Sequence, residues 1–187
     1  MNEIEKKYLL SENGKSYFKL NQDSSEIGDL VLQASLEDLR AIEKDSSRKN
    51  IFRVNQGYLD LIEGKSLGER LGVNMDFNVA EARLRAKGDK YFFTAKSDGG
   101  LSRIEEEVEI DEGVYNKNWP ATLGRRVEKI RLEIPYGGLI AEVDLYTDRD
   151  LITAEVECPN RYTALNLMPM GKDITEDKAY KNKNLAK

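Results

Sequence analysis

Histidine is absent from these 187 residues, and cysteine occurs once, as Cys158. Without imidazole, a His-dependent triad, His-ligated zinc and imidazole acid–base chemistry are excluded. A single thiol excludes a disulfide within the chain and fits a reducing compartment. No apolar run approaches the ~20 residues of a membrane span, and the charged start lacks a signal-peptide pattern. The expectation is a cytoplasmic protein without a membrane partner. Positive excess is missing too: the net charge is −5. That argues against a general nucleic-acid partner, which needs a basic patch.

Charge itself is abundant, at 34% of residues, and it is arranged with period 2. Glu3, Glu5 and Lys7 open the chain at i, i+2, i+4, which places two carboxylates and an ammonium on one face of a strand. Arg83, Arg85 and Lys87 alternate with Leu84 and Ala86, and Lys96 follows Thr94 by two. Arg103, Glu105, Glu107 and Glu109 alternate with Ile104, Glu106, Val108 and Ile110. Lys129, Arg131 and Glu133 interleave with Ile130, Leu132 and Ile134. Glu142 and Asp144 flank Val143; Glu155 and Glu157 flank Val156.

For any one strand this pattern describes an amphipathic sheet with a solvated face. Taken together the strands point elsewhere. The charged face carries few Thr, Ser or Gln, like charges recur at i, i+2, and acids and bases fall into separate groups. If the sheet closes into a barrel, these faces meet in a polar lumen. Its carboxylates suit a hard divalent ion such as Mg²⁺ or Mn²⁺. Its Arg and Lys suit a chain of phosphates.

At this length one domain is expected, over 1–187, with a tail from about 162. Strands are expected at Glu3–Leu10, Ile51–Ile62, Val79–Lys87, Lys90–Lys96, Leu101–Asp111, Val127–Ile134, Leu139–Asp148 and Leu151–Cys158. Turns are expected at Ser11–Lys15, Gly88-Asp89, Pro135-Tyr136-Gly137-Gly138 and Thr147–Asp150. Ser24–Lys44 reads as helical at least from Ser35, where Ser35 and Asp38 resemble a capping box ahead of Leu39 and Ile42. Glu112–Arg125 reads as a short helix interrupted by Pro120. The fold class is α+β, mainly antiparallel β, with about eight strands.

These motifs, in this order, resemble the CYTH superfamily, the triphosphate tunnel metalloenzymes. Glu3-x-Glu5-x-Lys7 looks like its ExExK signature. The likeness continues through Gln56-Gly57-Tyr58-Leu59, Arg83-Leu84-Arg85, Thr94-Ala95-Lys96, Arg103-Ile104-Glu105-Glu106-Glu107, Lys129-Ile130-Arg131, Glu142-Val143-Asp144 and Ala154-Glu155-Val156-Glu157. It reaches the tail, from Met170-Gly171-Lys172-Asp173-Ile174-Thr175 through Tyr180 to Asn184-Leu185-Ala186.

The resemblance implies an eight-stranded closed barrel with flanking helices that binds a triphosphate with Mg²⁺ or Mn²⁺. Glu3, Glu5, Glu155 and Glu157 fall on its metal-ligand positions. Glu105, Glu107 and Asp144 match acids that bind metal or orient water. Lys7, Arg83, Arg85, Lys96, Arg103, Lys129 and Arg131 match phosphate-binding positions. It also leaves room for a homodimer.

Hydrolysis of inorganic triphosphate is the leading expectation, since metal-bound water needs no imidazole base. Thiamine triphosphate and nucleoside triphosphates are alternative substrates. A class IV adenylate cyclase is disfavoured, because the His-Phe pair of those members is missing. A non-catalytic polyphosphate-binding module is the alternative from another class. Trp119 and Tyr115 read as packing residues, Cys158 as a small hydrophobe, and Lys181 and Lys183 as surface charges.

Overall fold

The computed structural model describes residues 2–17, 50–98 and 102–186, the side chains of Asn2 and Glu3 excepted. The helix expected within Ser24–Lys44 lies outside them. Among the described residues, eight strands run seven residues or longer, so the expected antiparallel, strand-rich α+β class is present. No helix of the described residues is long and apolar enough to cross a membrane. The chain divides into two compact units: Met1–Glu3, Val54–Glu128 and Glu176–Lys187 form one, Ile4–Arg53 and Lys129–Thr175 the other.

In the first unit, β3 (Ile51–Tyr58, from Val54 onward) leads into helix α1 (Leu61–Arg70), then β4 (Val79–Lys87), β5 (Lys90–Ser97), β6 (Ser102–Ile110) and helix α2 (Glu112–Asn118). The β4–β5 hairpin turns at Gly88, whose φ of 59° suits a residue without Cβ. Register brings Tyr58 opposite Arg83, Arg83 opposite Thr94, Thr94 opposite Glu107, and Lys96 opposite Glu105. Because side chains alternate, Leu84, Phe93 and Ala95 face the other way. They pack with Leu59, Leu67, Val79, Ala82, Ile110 and Tyr115 into an apolar core. Tyr115 stacks on Trp119 at 4.9 Å, and the Arg126 guanidinium lies 4.4 Å from the Trp119 ring centre. Both aromatics pack, as expected.

Helix α1 corrects the expected strand to Ile62, which ends at Tyr58. Asp60 caps the helix by accepting from the backbone N–H of Ile62 and Glu63, both at 2.9 Å. Gly64 and Gly68 let α1 approach its neighbours: a Cβ on Gly64 would lie 2.3 Å from that of Ala82, and one on Gly68 would lie 2.8 Å from Met75 Sδ. Two glycines depress helix propensity locally; close packing holds the helix regardless. Pro120 ends α2 as expected, starting a 3-10 turn over Trp119–Thr122.

Gly57 packs equally tightly, since a Cβ there would lie 2.4 Å from Thr122 Oγ1. That hydroxyl donates to the Trp119 carbonyl at 2.7 Å and accepts from Arg126 Nε at 2.9 Å. It has little freedom to yield. Gly57→Ala is expected to destabilise by about 1–3 kcal/mol, read as a lowered denaturant midpoint; an unchanged midpoint would contradict this packing.

The second unit holds β1 (Asn2–Glu12, from Ile4 onward), β7 (Arg126–Tyr136, from Lys129 onward), β8 (Leu139–Tyr146) and β9 (Leu151–Glu157). They pair antiparallel in the order β7–β8–β9–β1. Two short strands, β2 (Lys15–Ser16) and β10 (Lys172–Asp173), add to β1, and helix α3 (Arg161–Asn166) follows β9. Pro135 was expected in a turn but pairs with Ile140 inside β7; the turn is Gly137-Gly138 alone, with φ of 58° and 77°. Two consecutive positive φ values suit a tight hairpin, so β7 runs two residues further than its alternation suggests. Cys158 is buried and free, and burial pushes its thiol pKa up, as befits a packing residue.

Candidate functional site

Much of the charged face is buried, although Glu107, Glu109 and Glu157 are exposed. Lys7, Arg83, Lys96, Lys129, Arg131, Asp144 and Glu155 are all buried, with Lys129 and Asp144 fully removed from solvent. Burying an ion is costly unless it is paired and hydrogen-bonded. Each unit meets that demand with its own cross-strand network.

In the second unit, register stacks Lys7 against Glu155, Glu155 against Glu142, and Asp144 against Arg131. Lys7 Nζ donates to Glu155 Oε1 at 2.7 Å. Arg131 grips Asp144 with two donors, Nε and Nη2, each at 2.7 Å, and Nη2 also reaches Glu155 at 3.1 Å. Arg131 Nη1 pairs with Glu142, and Lys129 pairs with Asp144. Three cations are thus matched by three carboxylates.

Burial alone would push the Asp144 and Glu155 carboxyls up. Arg131 and Lys129 instead hold Asp144 below the ordinary range, and Lys7, Lys129 and Arg131 hold Glu155 well below it. Burial also disfavours charge on Lys7, but Glu155, Tyr146 and Glu5 outweigh it and raise its pKa. Lys129 goes the other way. Burial first, then the neighbouring Arg131, lower it from 10.5 to about 8.

That shift fixes a sign. Between pH 8 and 10.5 the unfolded chain binds more protons at this group than the folded protein does, so stability from Lys129 rises with pH across that window. The full effect is on the order of 3 kcal/mol. Denaturant midpoints of the native protein are expected to climb relative to Lys129→Met between pH 8 and 10. Parallel profiles would contradict the shift.

In the first unit, Arg85 Nη2 donates to both oxygens of Glu107, at 2.8 and 2.7 Å. Arg83 Nη2 lies 3.6 Å from Glu105 and from Glu107, and its Nε donates to Thr94 Oγ1 at 3.3 Å. The Thr94 hydroxyl donates to Glu107 at 2.7 Å, and Lys96 pairs with Glu105. Burial opposes charge on Arg83, yet Glu105, Tyr58, Glu81 and Glu107 raise its pKa. Burial would raise Glu107, but Arg85 and Arg83 hold it low. Arg103 lies at the start of β6, partly buried.

The expected phosphate-binding residues therefore fall into two groups: Lys7, Lys129 and Arg131, and Arg83, Arg85, Lys96 and Arg103. The expected metal ligands are divided. Glu105, Glu107, Asp144 and Glu155 are engaged by cations, and the Glu3 side chain lies outside the described residues. Glu5 and Glu157 are directly opposed on β1 and β9. Among the described residues no three acidic or thiol side chains converge to hold a metal ion. The donor chemistry nonetheless fits a hard cation. Carboxylates directly opposite one another repel, and two such oxygen donors suit Mg²⁺ or Mn²⁺. Glu155 lies on the same face of β9, two residues before Glu157, and is engaged by Lys7.

Several participants go beyond the expected set. Glu142 completes the Arg131 network, and its parity with Asp144 was the signal for it. Thr94 bridges Arg83 and Glu107 from a position two before Lys96. Gln56 Nε2 donates to the Tyr58 hydroxyl at 2.7 Å; only the surrounding motif marked that pair. Lys129 Nζ lies 5.9 Å from the Tyr146 ring centre, a contact without a local sequence signal.

No protein-family model matches the chain. An inorganic triphosphatase of Nitrosomonas europaea is 46% identical over 113 residues, covering 57% of this chain and 74% of that protein. The crystal structure of the inorganic triphosphatase NE1496 matches with a TM-score of 0.52 and 28% identity, over 98% of this chain and 93% of that one. A second crystal structure of NE1496 matches with a TM-score of 0.51 and 29% identity, over 98% and 97%. That likeness shows the expected fold class, an eight-stranded antiparallel β-barrel with flanking helices. With ordered charged strands, this fold and a relative of that identity and coverage, the chain belongs to the CYTH superfamily.

Proposed function

We propose that this protein is a divalent-metal-dependent triphosphatase, cleaving the terminal phosphoanhydride of inorganic triphosphate to pyrophosphate and phosphate. The observation that carries the reading is the burial of Arg and Lys in ordered sets, each held by carboxylates that a phosphate oxygen can replace. The kinship with an inorganic triphosphatase supports the same substrate.

Arg131 and Arg85 present two-pronged donors suited to phosphate oxygens, while Lys7, Lys96 and Lys129 act as point charges. Arg83 and Arg103 add to the positive field that stabilises charge on the departing pyrophosphate. Glu5 and Glu157, with Glu155 and Glu3, would hold Mg²⁺ or Mn²⁺, which would supply charge neutralisation and a more acidic water. Asp144, kept ionised by Arg131 and Lys129, is a weak base, so its role is to orient water by accepting a hydrogen bond. Glu105 is the alternative acceptor.

Incubation with tripolyphosphate, ATP and thiamine triphosphate, each with Mg²⁺ or Mn²⁺, tests the assignment. Phosphate and pyrophosphate are expected in equal amounts from tripolyphosphate, faster than from either ester. Cyclic AMP from ATP would instead identify a cyclase, and binding without turnover in both metals would identify a binding module.

A further inference from the structure

Within the first unit, a cavity of about 190 Å³ opens where the start of β4 meets the end of β5. Its charged lining is Lys96, Arg103, Lys178, Lys181 and Lys183, opposed by Glu81 and Asp98. Lys96 is also paired with Glu105, so five cations meet three carboxylates, a balance that still makes it an anion-attracting pocket. Three of those cations come from the C-terminal tail, whose last turns span Lys178–Tyr180 and Asn182–Leu185.

The tail is fastened where its lysines can act. Lys183 Nζ donates to the Ala80 carbonyl at 3.1 Å, and Lys181 Nζ lies 3.8 Å from Asp98. Asn184 Nδ2 donates to the Lys178 carbonyl at 2.6 Å, and Asp177 caps the turn by accepting from Ala179 N–H at 3.0 Å. Lys181 and Lys183, expected as plain surface charges, converge with Lys96 and Arg103. The volume sets the ligand. A cavity of this size is below the roughly 300–1,000 Å³ that takes a drug-sized molecule, yet holds several waters at ~30 Å³ each. It has room for a phosphate group and not for a nucleoside or thiamine ring system.

We propose that this cavity is a terminal-phosphate pocket, in which Lys178, Lys181 and Lys183 of the tail join Lys96 and Arg103 to select an unesterified phosphoryl end. The inference rests on the triphosphatase reading and deepens it: Lys178, Lys181 and Lys183 become specificity-determining residues. A chain esterified at both ends has no group that fits.

Calorimetric titration of metal-free protein, where no turnover occurs, tests the pocket separately from the reaction. The ligands are tripolyphosphate and a dinucleoside triphosphate capped at both ends. The native protein is expected to bind tripolyphosphate at least tenfold more tightly. Lys181→Gln/Lys183→Gln is expected to weaken tripolyphosphate about tenfold and the capped ligand less than twofold. Lys178→Gln, at an exposed side chain, repeats the test with little risk to folding and is expected to weaken tripolyphosphate about threefold. A tripolyphosphate affinity unchanged within twofold in both variants, or an equal loss for both ligands, overturns the pocket. Failure of native protein with metal to release phosphate overturns the triphosphatase reading instead.

Discussion

Asp144→Asn is expected to destabilise the protein by about 3–5 kcal/mol, the cost of stripping one partner from a buried ion pair. Asp144 is fully buried and accepts from Arg131 twice at 2.7 Å while pairing with Lys129. Asparagine keeps the volume but loses the charge, and its amide turns a donor toward a guanidinium. Glu142 and Glu155 then face Lys7, Lys129 and Arg131 with one negative charge too few. For a protein of this length the change corresponds to a thermal midpoint lowered by roughly 10 °C. The loss also has a pH signature. Asp144 has a depressed carboxyl pKa, so its contribution is present above the ordinary 3.8 and disappears as pH falls through the native value. The variant is therefore expected to differ most from the native protein near neutrality and to converge with it in acid. A midpoint within 1 kcal/mol of native at pH 7 would show that Asp144 does not balance these cations.

Glu5→Gln/Glu157→Gln is expected to divide stability from activity. The two carboxylates lie directly opposite each other on β1 and β9, and removing like-charge repulsion is worth about 0.2–1 kcal/mol. Relief of that repulsion is offset by the lost attraction of Glu5 for Lys7, so the metal-free double variant should stay within about 1 kcal/mol of the native protein. If these acids hold Mg²⁺ or Mn²⁺, phosphate release from tripolyphosphate should fall by a factor on the order of 100–1,000, a loss of about 3–4 kcal/mol of transition-state stabilisation. Thermal midpoints with and without EDTA complete the measurement: added metal should raise the native midpoint and leave that of the variant unmoved. Full activity, or a metal-dependent midpoint in the variant, would remove Glu5 and Glu157 from the metal set. Lost activity with a large loss of stability would mean a folding defect.

Much of this site was legible because period-2 charge is a local property of each strand. The faces carrying Glu5 and Lys7, Arg83 and Arg85, Lys129 and Arg131, and Glu155 and Glu157 could be read without knowing any neighbour. Which acid meets which cation could not. Glu107 belongs to Arg85 and Thr94, while Glu105 belongs to Lys96, because of a register fixed by strands far apart in sequence. The Gly88 hairpin was legible from its turn chemistry, whereas α1 was hidden by Gly64 and Gly68. Those residues lower helix propensity and reveal their purpose only against Ala82 and Met75. The partners of the tail lysines were hidden for the same reason, since their place beside Ala80 and Asp98 is a tertiary fact.

The β-bulge in β1 falls between Leu9 and Ser11, beyond Lys7. It spends its irregularity outside the stretch in which Glu5 and Lys7 meet Glu157 and Glu155. A one-residue insertion or deletion before that point would exchange inward and outward side chains along the strand. These segments are therefore constrained in length more severely than in composition. Length variation during descent should collect at Gly137-Gly138 and Gly88-Asp89, where an added residue lengthens a turn and leaves every charged partner opposite its own.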